Sequence, residues 1–172
     1  MPPHSGPLLV DTNVILECHR TGSWRALTSR YTTETVEECV KETQTGFQNR
    51  NPEQQIDEGD LRKSLTAVWT VSEHDLAVAT IHEPRISHLD PGELHLWAHA
   101  LTRQDAWILC GPDKASMRVG AALGFKARIV SLERLLLDIG YNRAKTTLAR
   151  QYGQKWLDDW SSTILFDDGR LP

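Results

Sequence analysis

The stretch Leu8-Leu9-Val10-Asp11-Thr12-Asn13 constrains the fold more than any other part of the chain. Three apolar residues follow Pro7, and small polar residues then lead into the periodic Val14-Ile15-Leu16. This reads as a short buried strand that runs directly into a helix. Asp11 then stands at the carboxyl end of a strand, where the crevice of an open α/β sheet receives ligands. The same position suits a helix N-cap, a role that Asp, Thr and Asn all fill well. The local pattern leaves both roles open.

The rest of the chain repeats the alternation of strand and helix. Residues 7–12 are the first strand and 13–20 the first helix, stopped by Thr21-Gly22. Tyr31-Thr32-Thr33 is β-prone, and from Glu34 a helical pattern sets in with Val36, Cys39 and Val40 on one face. Residues 44–60 are rich in Gln, Asn, Glu and Gly and read as a loop, the kind of segment that often touches substrate. A strand is expected over 65–71 and a helix over 75–82. Asp90-Pro91-Gly92-Glu93 marks a helix start, with Asp90 as N-cap, Pro91 at the first helical position and Glu93 at the third. That helix buries Leu94, Trp97, Ala98 and Leu101. A second apolar run, residues 106–110, ends at Gly111-Pro112-Asp113. A helix follows from 114 to 123, then Gly124, a strand over 128–130 and a helix over 132–137. Leu148, Tyr152, Trp156, Leu157 and Trp160 recur at near-helical spacing and predict one or two amphipathic helices. Strands alternating with helices favour an α/β fold with a mostly parallel sheet flanked by helices.

With 172 residues the chain accommodates one domain with a sizeable core and a short extension, divided here as 7–140 and a C-terminal helical extension over 141–172. A net charge of −4 argues against gripping nucleic acid by overall positive charge. It leaves a metal-dependent nuclease open, because clustered carboxylates are themselves part of the acid count. Cys18, Cys39 and Cys110 are widely spaced and form no CxxC pair, so they read as small core hydrophobes in a reducing compartment. Neither a secretory signal nor an apolar run of roughly 20 residues is visible, so a cytoplasmic protein away from membranes is expected.

Asp11 and Asp113 both end strands, and if those strands are parallel they do so on the same edge. Converging carboxylates hold Mg²⁺ or Mn²⁺, hard cations that prefer oxygen ligands and act on substrate phosphates. Each candidate also has a plainer role. Glu93 completes a capping box with Asp90, Asp113 caps its helix, and Glu38 beside Glu37 is solvated charge. Lys114 and Arg118, four apart, either meet phosphates or form a solvated basic face. His95 and His99 have zinc-helix spacing, but Leu96 stands where the metalloprotease pattern requires Glu, so zinc is not expected. A phosphatase using Asp11 as nucleophile is disfavoured because Asn13 replaces the usual second aspartate. Trp97 and Trp107 are expected in the core.

The elements Leu9-Val10-Asp11-Thr12-Asn13-Val14, Thr35-Val36-Glu37-Glu38, Leu89-Asp90-Pro91-Gly92-Glu93 and Pro112-Asp113-Lys114-Ala115 occur in order. Together they resemble the PIN-domain ribonucleases, a family that includes the toxins of VapBC toxin–antitoxin pairs. The resemblance covers about residues 8–140 and implies a three-layer α/β/α sandwich and a metal-dependent endoribonuclease. It further implies that Asp11, Glu38, Glu93 and Asp113 hold Mg²⁺ or Mn²⁺, with Glu37 the rival to Glu38. Thr12 and Asn13 would support the site, and Lys114 and Arg118 would contact RNA. The implied partners are RNA, a small antitoxin protein and a second copy of the chain. Many relatives carry paired acids at the last motif, where this chain has Pro112-Asp113-Lys114. A PIN-like scaffold that binds RNA or a protein without hydrolysis is the alternative.

Overall fold

Where the apolar runs stop decides the architecture. The computed structural model describes residues 3–142 and 147–167. Four strands form one sheet: β1 (Pro7–Val10), β2 (Thr32–Val36), β3 (Ala67–Trp69) and β4 (Ile108–Cys110). Their order is β3-β2-β1-β4 and every pairing is parallel, with Leu8 aligned to Thr33 on one side and to Ile108 on the other. Parallel neighbours require crossover connections. Helices α1 (Thr12–Thr21) and α2 (Trp24–Thr28) supply the first, and α3 (Glu37–Gln44) and α4 (Glu58–Ser64) the second. Helices α5 (Glu73–His82) and α6 (Pro91–Thr102) supply the third, and α7 (Lys114–Ala122), α8 (Leu132–Asp138) and α9 (Gln154–Asp167) follow β4.

Alternation along the strands sorts the core into two clusters. Leu8, Val10 and Cys110 pack with Val14, Leu27 and Leu132, whereas Leu9 and Leu109 pack with Leu96, Trp97 and Trp107. Helices therefore cover both faces of the sheet, an arrangement compatible with a three-layer sandwich. Leu8, Leu9 and Val10 are fully buried, each side chain contributing about 1.5–3 kcal/mol of hydrophobic stabilisation. Trp97 and Trp107 lie in the core as expected, and all three cysteines are buried free thiols.

Four local expectations are corrected. Strand β2 extends through Val36, beyond the expected 31–33, because Thr33 and Thr35 are fully buried and the Thr35 hydroxyl donates to the Val10 carbonyl at 2.7 Å. The helical stripe read from Val36 begins in earnest only at Cys39 and Val40, both buried on α3. Within residues 44–60 two short 3₁₀ turns break the loop, and α4 begins at Glu58, capped by the Asp57 carboxylate on the Asp60 N–H. The strand expected over 128–130 is reduced to one parallel bridge between Leu109 and Ile129. There the Arg128 guanidinium donates to the Asp105 and Trp107 carbonyls and lies 4.6 Å from the Trp107 ring centre, while residues 126–128 form a 3₁₀ turn.

The tail returns to the start of the chain. The Ala149 N–H donates to the buried Glu17 carboxylate at 2.7 Å, and Arg20 donates to the Thr147 carbonyl at 2.9 Å. Leu157 and Ile164 of α9 pack on Met117 of α7. Parts of the expected 141–172 extension, residues 143–146 and 168–172, lie outside the described residues. Among the described residues, no helix is long and apolar enough to cross a membrane.

Candidate active site

The succession of strands reverses between β1 and β4, so a crevice opens beyond their carboxyl ends. Asp11 is the first residue after β1, and its N–H donates to the Cys110 carbonyl of β4 at 3.3 Å. Its Oδ1 caps α1 by accepting from the Val14 N–H at 2.8 Å. Asp113 caps α7 in the same way, with Oδ1 accepting from the Ser116 N–H at 3.0 Å. The cap occupies one oxygen of each carboxylate. Asp11 Oδ2 turns toward Gly111, where a Cβ would come within 3.3 Å of it.

The start of α6 forms the next wall. Asp90 sits at the N-cap position but makes no side-chain cap bond, so the capping box read from Asp90 and Glu93 is not formed. Glu93 is instead buried, with 8% of its surface exposed. Glu42, on the last turn of α3, reaches across to the start of α6. Its Oε1 accepts from the Gly92 N–H at 2.8 Å and its Oε2 from the Thr12 hydroxyl at 2.6 Å. A side chain at position 92 would run into that carboxylate, so glycine is what allows the approach.

Asp11, Glu42, Asp90 and Glu93 line one cleft of about 270 Å³ together with Thr12 and Asn13. An adjoining hollow is shared by Asp90, Glu93 and Asp113. Burial pushes the Asp11 carboxyl up to about 7; the Val14 hydrogen bond opposes the rise, and the charges of Glu42 and Asp113 add to it. Burial likewise pushes Glu93 up to about 8, reinforced by Asp113, Asp11, Asp90 and Glu42. These carboxylates act on one another electrostatically, and a cation placed among them would relieve the repulsion.

Of the residues singled out by sequence, Asp11, Glu93 and Asp113 meet in this region. Glu38 is not among the residues that line the cleft; it pairs with Lys41 at 3.1 Å. Glu37 is held by two hydrogen bonds from Arg62, at 2.9 and 2.8 Å. The acid that α3 delivers is Glu42, one turn beyond Glu38. No signal local to α3 marks it: Cys39 and Glu42, three apart on one helical face, both meet Gly92, the thiol facing its carbonyl at 3.6 Å, through contacts that only the fold creates. Thr12 supports the cleft through Glu42. The Asn13 carbonyl accepts from the Tyr152 hydroxyl at 3.2 Å, a contact from the tail that sequence did not anticipate. The cations of Lys114 and Arg118 lie over the Trp160 ring of α9, at 4.4 and 4.9 Å from its centre. His99 stacks on Trp69, with ring centres 5.2 Å apart.

Among the described residues, no group of three or more His, Cys, Asp or Glu side chains is arranged to hold a metal ion. The donor chemistry of the cleft nonetheless fits a hard divalent cation, since its acidic side chains, Asp11, Glu42, Asp90 and Glu93, offer carboxylate oxygen. No family model, curated protein or solved structure matches the chain.

Proposed function

We propose that this protein is a PIN-like, Mg²⁺- or Mn²⁺-dependent endoribonuclease that hydrolyses RNA phosphodiesters in the acidic cleft. One observation carries the reading. Carboxylates from four distant segments, Asp11, Glu42, Glu93 and Asp113, converge beyond the β1 and β4 strand ends, where burial and mutual repulsion favour a counter-cation. Those four residues would hold the ion, with Glu42 replacing Glu38 in the set. A bound divalent cation supplies neutralisation of the phosphate charge and a more acidic water. The chain's own contribution is to orient its oxygens: the Thr12 hydroxyl and Gly92 N–H fix Glu42, and the Val14 and Ser116 N–H groups fix the two aspartates.

RNA as the substrate rests on the ordered motifs around Asp11, Glu93 and Asp113. The same resemblance supports a toxin–antitoxin role in the cytoplasm, with a small antitoxin protein and a second copy of the chain as partners to seek. Three buried free thiols suit a reducing compartment. A second reading is a PIN-like scaffold that binds RNA or a protein partner without hydrolysis. One assay separates them. Cleavage of single-stranded RNA with Mn²⁺ by the wild type, abolished in Asp11→Asn, supports the nuclease; binding without cleavage by the wild type supports the scaffold.

A further inference from the structure

Arg50 lies in the loop after α3, within the segment that sequence marked as a place where substrate is touched. Its guanidinium donates to the Glu42 carbonyl at 2.7 Å and to the Thr43 carbonyl. The loop around it is itself built: Gln55 donates to the Arg50 carbonyl at 3.0 Å, and Gln44 donates to the Ile56 carbonyl at 3.1 Å. Arg50 is thereby held at the wall of the cleft that contains Asp11, Glu42, Asp90 and Glu93. Among the described residues lining that cleft it alone is a cation.

This charge arrangement poses a problem for any polyanion. Four carboxylates repel a nucleic-acid backbone, and one divalent ion offsets only part of that repulsion. A guanidinium offers five N–H donors in a planar fork suited to two phosphate oxygens at once. Two bonds to the end of α3 leave donors over and hold the fork in place, so little rotamer freedom is lost when an anion arrives. A helix cap alone would explain the two carbonyl bonds. It would not require a permanent positive charge inside an acidic cleft.

We infer that Arg50 binds the RNA phosphate next to the one that is cleaved, and so sets how the strand lies across the carboxylates. This rests on the nuclease reading above. Arg50 acts there as a substrate-binding residue, with the scissile phosphate left to the acidic floor.

The test uses the full chain carrying Asp11→Asn to prevent cleavage, and a short fluorescein-labelled single-stranded RNA, with affinity measured over a series of salt concentrations. Arg50→Gln keeps an N–H for the α3 carbonyls but loses the charge. It is expected to weaken binding about tenfold and to make the log–log salt dependence shallower by about 0.7. Arg50→Lys keeps the charge without the fork and is expected to weaken binding at an unchanged salt slope. Should Arg50→Gln fail to fold by circular dichroism, Arg50→Lys carries the test, and unchanged affinity overturns the proposal. An unchanged slope in a folded Arg50→Gln also overturns it, leaving Arg50 a helix cap while the nuclease reading stands on wild-type cleavage. RNA neither bound by the Asp11→Asn chain nor cut by the wild type overturns both.

Discussion

Thr12 donates its hydroxyl proton to Glu42 at 2.6 Å, joining the first turn of α1 to the last turn of α3 across 30 positions of sequence. The Gly92 N–H takes the other oxygen at 2.8 Å, so one carboxylate pins together three segments that each border the cleft. An acid held by two donors has a fixed direction, which is what positioning a ligand requires and what solvated surface charge lacks.

Glu42 and Glu38 are therefore expected to separate under mutation. Glu42→Gln should lower RNA cleavage at least ~100-fold, no less than the loss of an outer partner at a metal site costs. Glu38→Gln removes only a surface pair with Lys41 and should stay within ~1 kcal/mol of wild-type stability with activity retained. Steady-state cleavage with Mn²⁺ checks both, and equal loss in the two variants would contradict the assignment.

Gly92→Ala drives a methyl group into the Glu42 carboxylate. Relief requires Glu42 to leave the Gly92 N–H or α6 to shift, at about 1–3 kcal/mol. The measurable result is a lower melting temperature together with impaired cleavage. A fully active Gly92→Ala protein would show that Glu42 is free to move.

Stability should fall as pH rises through neutrality. Asp11 and Glu93 are pushed from ordinary values of 3.8 and 4.5 up to about 7 and 8. Between those limits the folded chain keeps protons that the unfolded chain has released. The resulting stabilisation is full below the ordinary carboxylate range and is lost as pH passes through the raised values. Thermal unfolding from pH 5 to pH 9 should show that decline in the metal-free wild type. It should be flatter in the Asp11→Asn, Glu93→Gln double variant, and added Mn²⁺ should also flatten it by favouring the charged forms. Identical pH profiles for the wild type and the double variant would remove the electrostatic argument.

The far end of α6 carries an ion pair that supports the fold. Glu34 of β2 is buried and accepts from Arg103 and, at 2.7 Å, from the Trp69 indole N–H; Arg103 also lies over the Trp69 ring. Arg103→Ala leaves a buried carboxylate without its counter-charge and should cost about 3 kcal/mol in urea unfolding. Cleavage per folded molecule should persist, because Arg103 follows the opposite end of α6 from Glu93.

The parallel sheet was legible because Leu8-Leu9-Val10 and Trp107-Ile108-Leu109-Cys110 are apolar runs too short for helices, each followed by a helical pattern. Asp11 and Asp113 were legible for the same reason, since the end of a strand is a place in space as well as in sequence. Glu42 was not, because a helix face shared by Glu38 and Glu42 gives no local sign of which acid meets α6; Gly92, 50 positions away, makes that choice. Val36 satisfies a strand and a helical stripe equally well, so the sequence alone does not place the boundary between β2 and α3. Tyr152 reached the Asn13 carbonyl through a tertiary path that spacing does not encode.

The convergence of positions 11, 42, 93 and 113, with Tyr152 closing behind Asn13, has a bearing on biosynthesis. A growing polypeptide leaves the ribosome with Asp11 and Asn13 early, Asp113 late, and Tyr152, which braces the Asn13 carbonyl, later still. Whatever reaction the carboxylates support needs position 113 as well as position 11, so products truncated before Asp113 would be chemically silent.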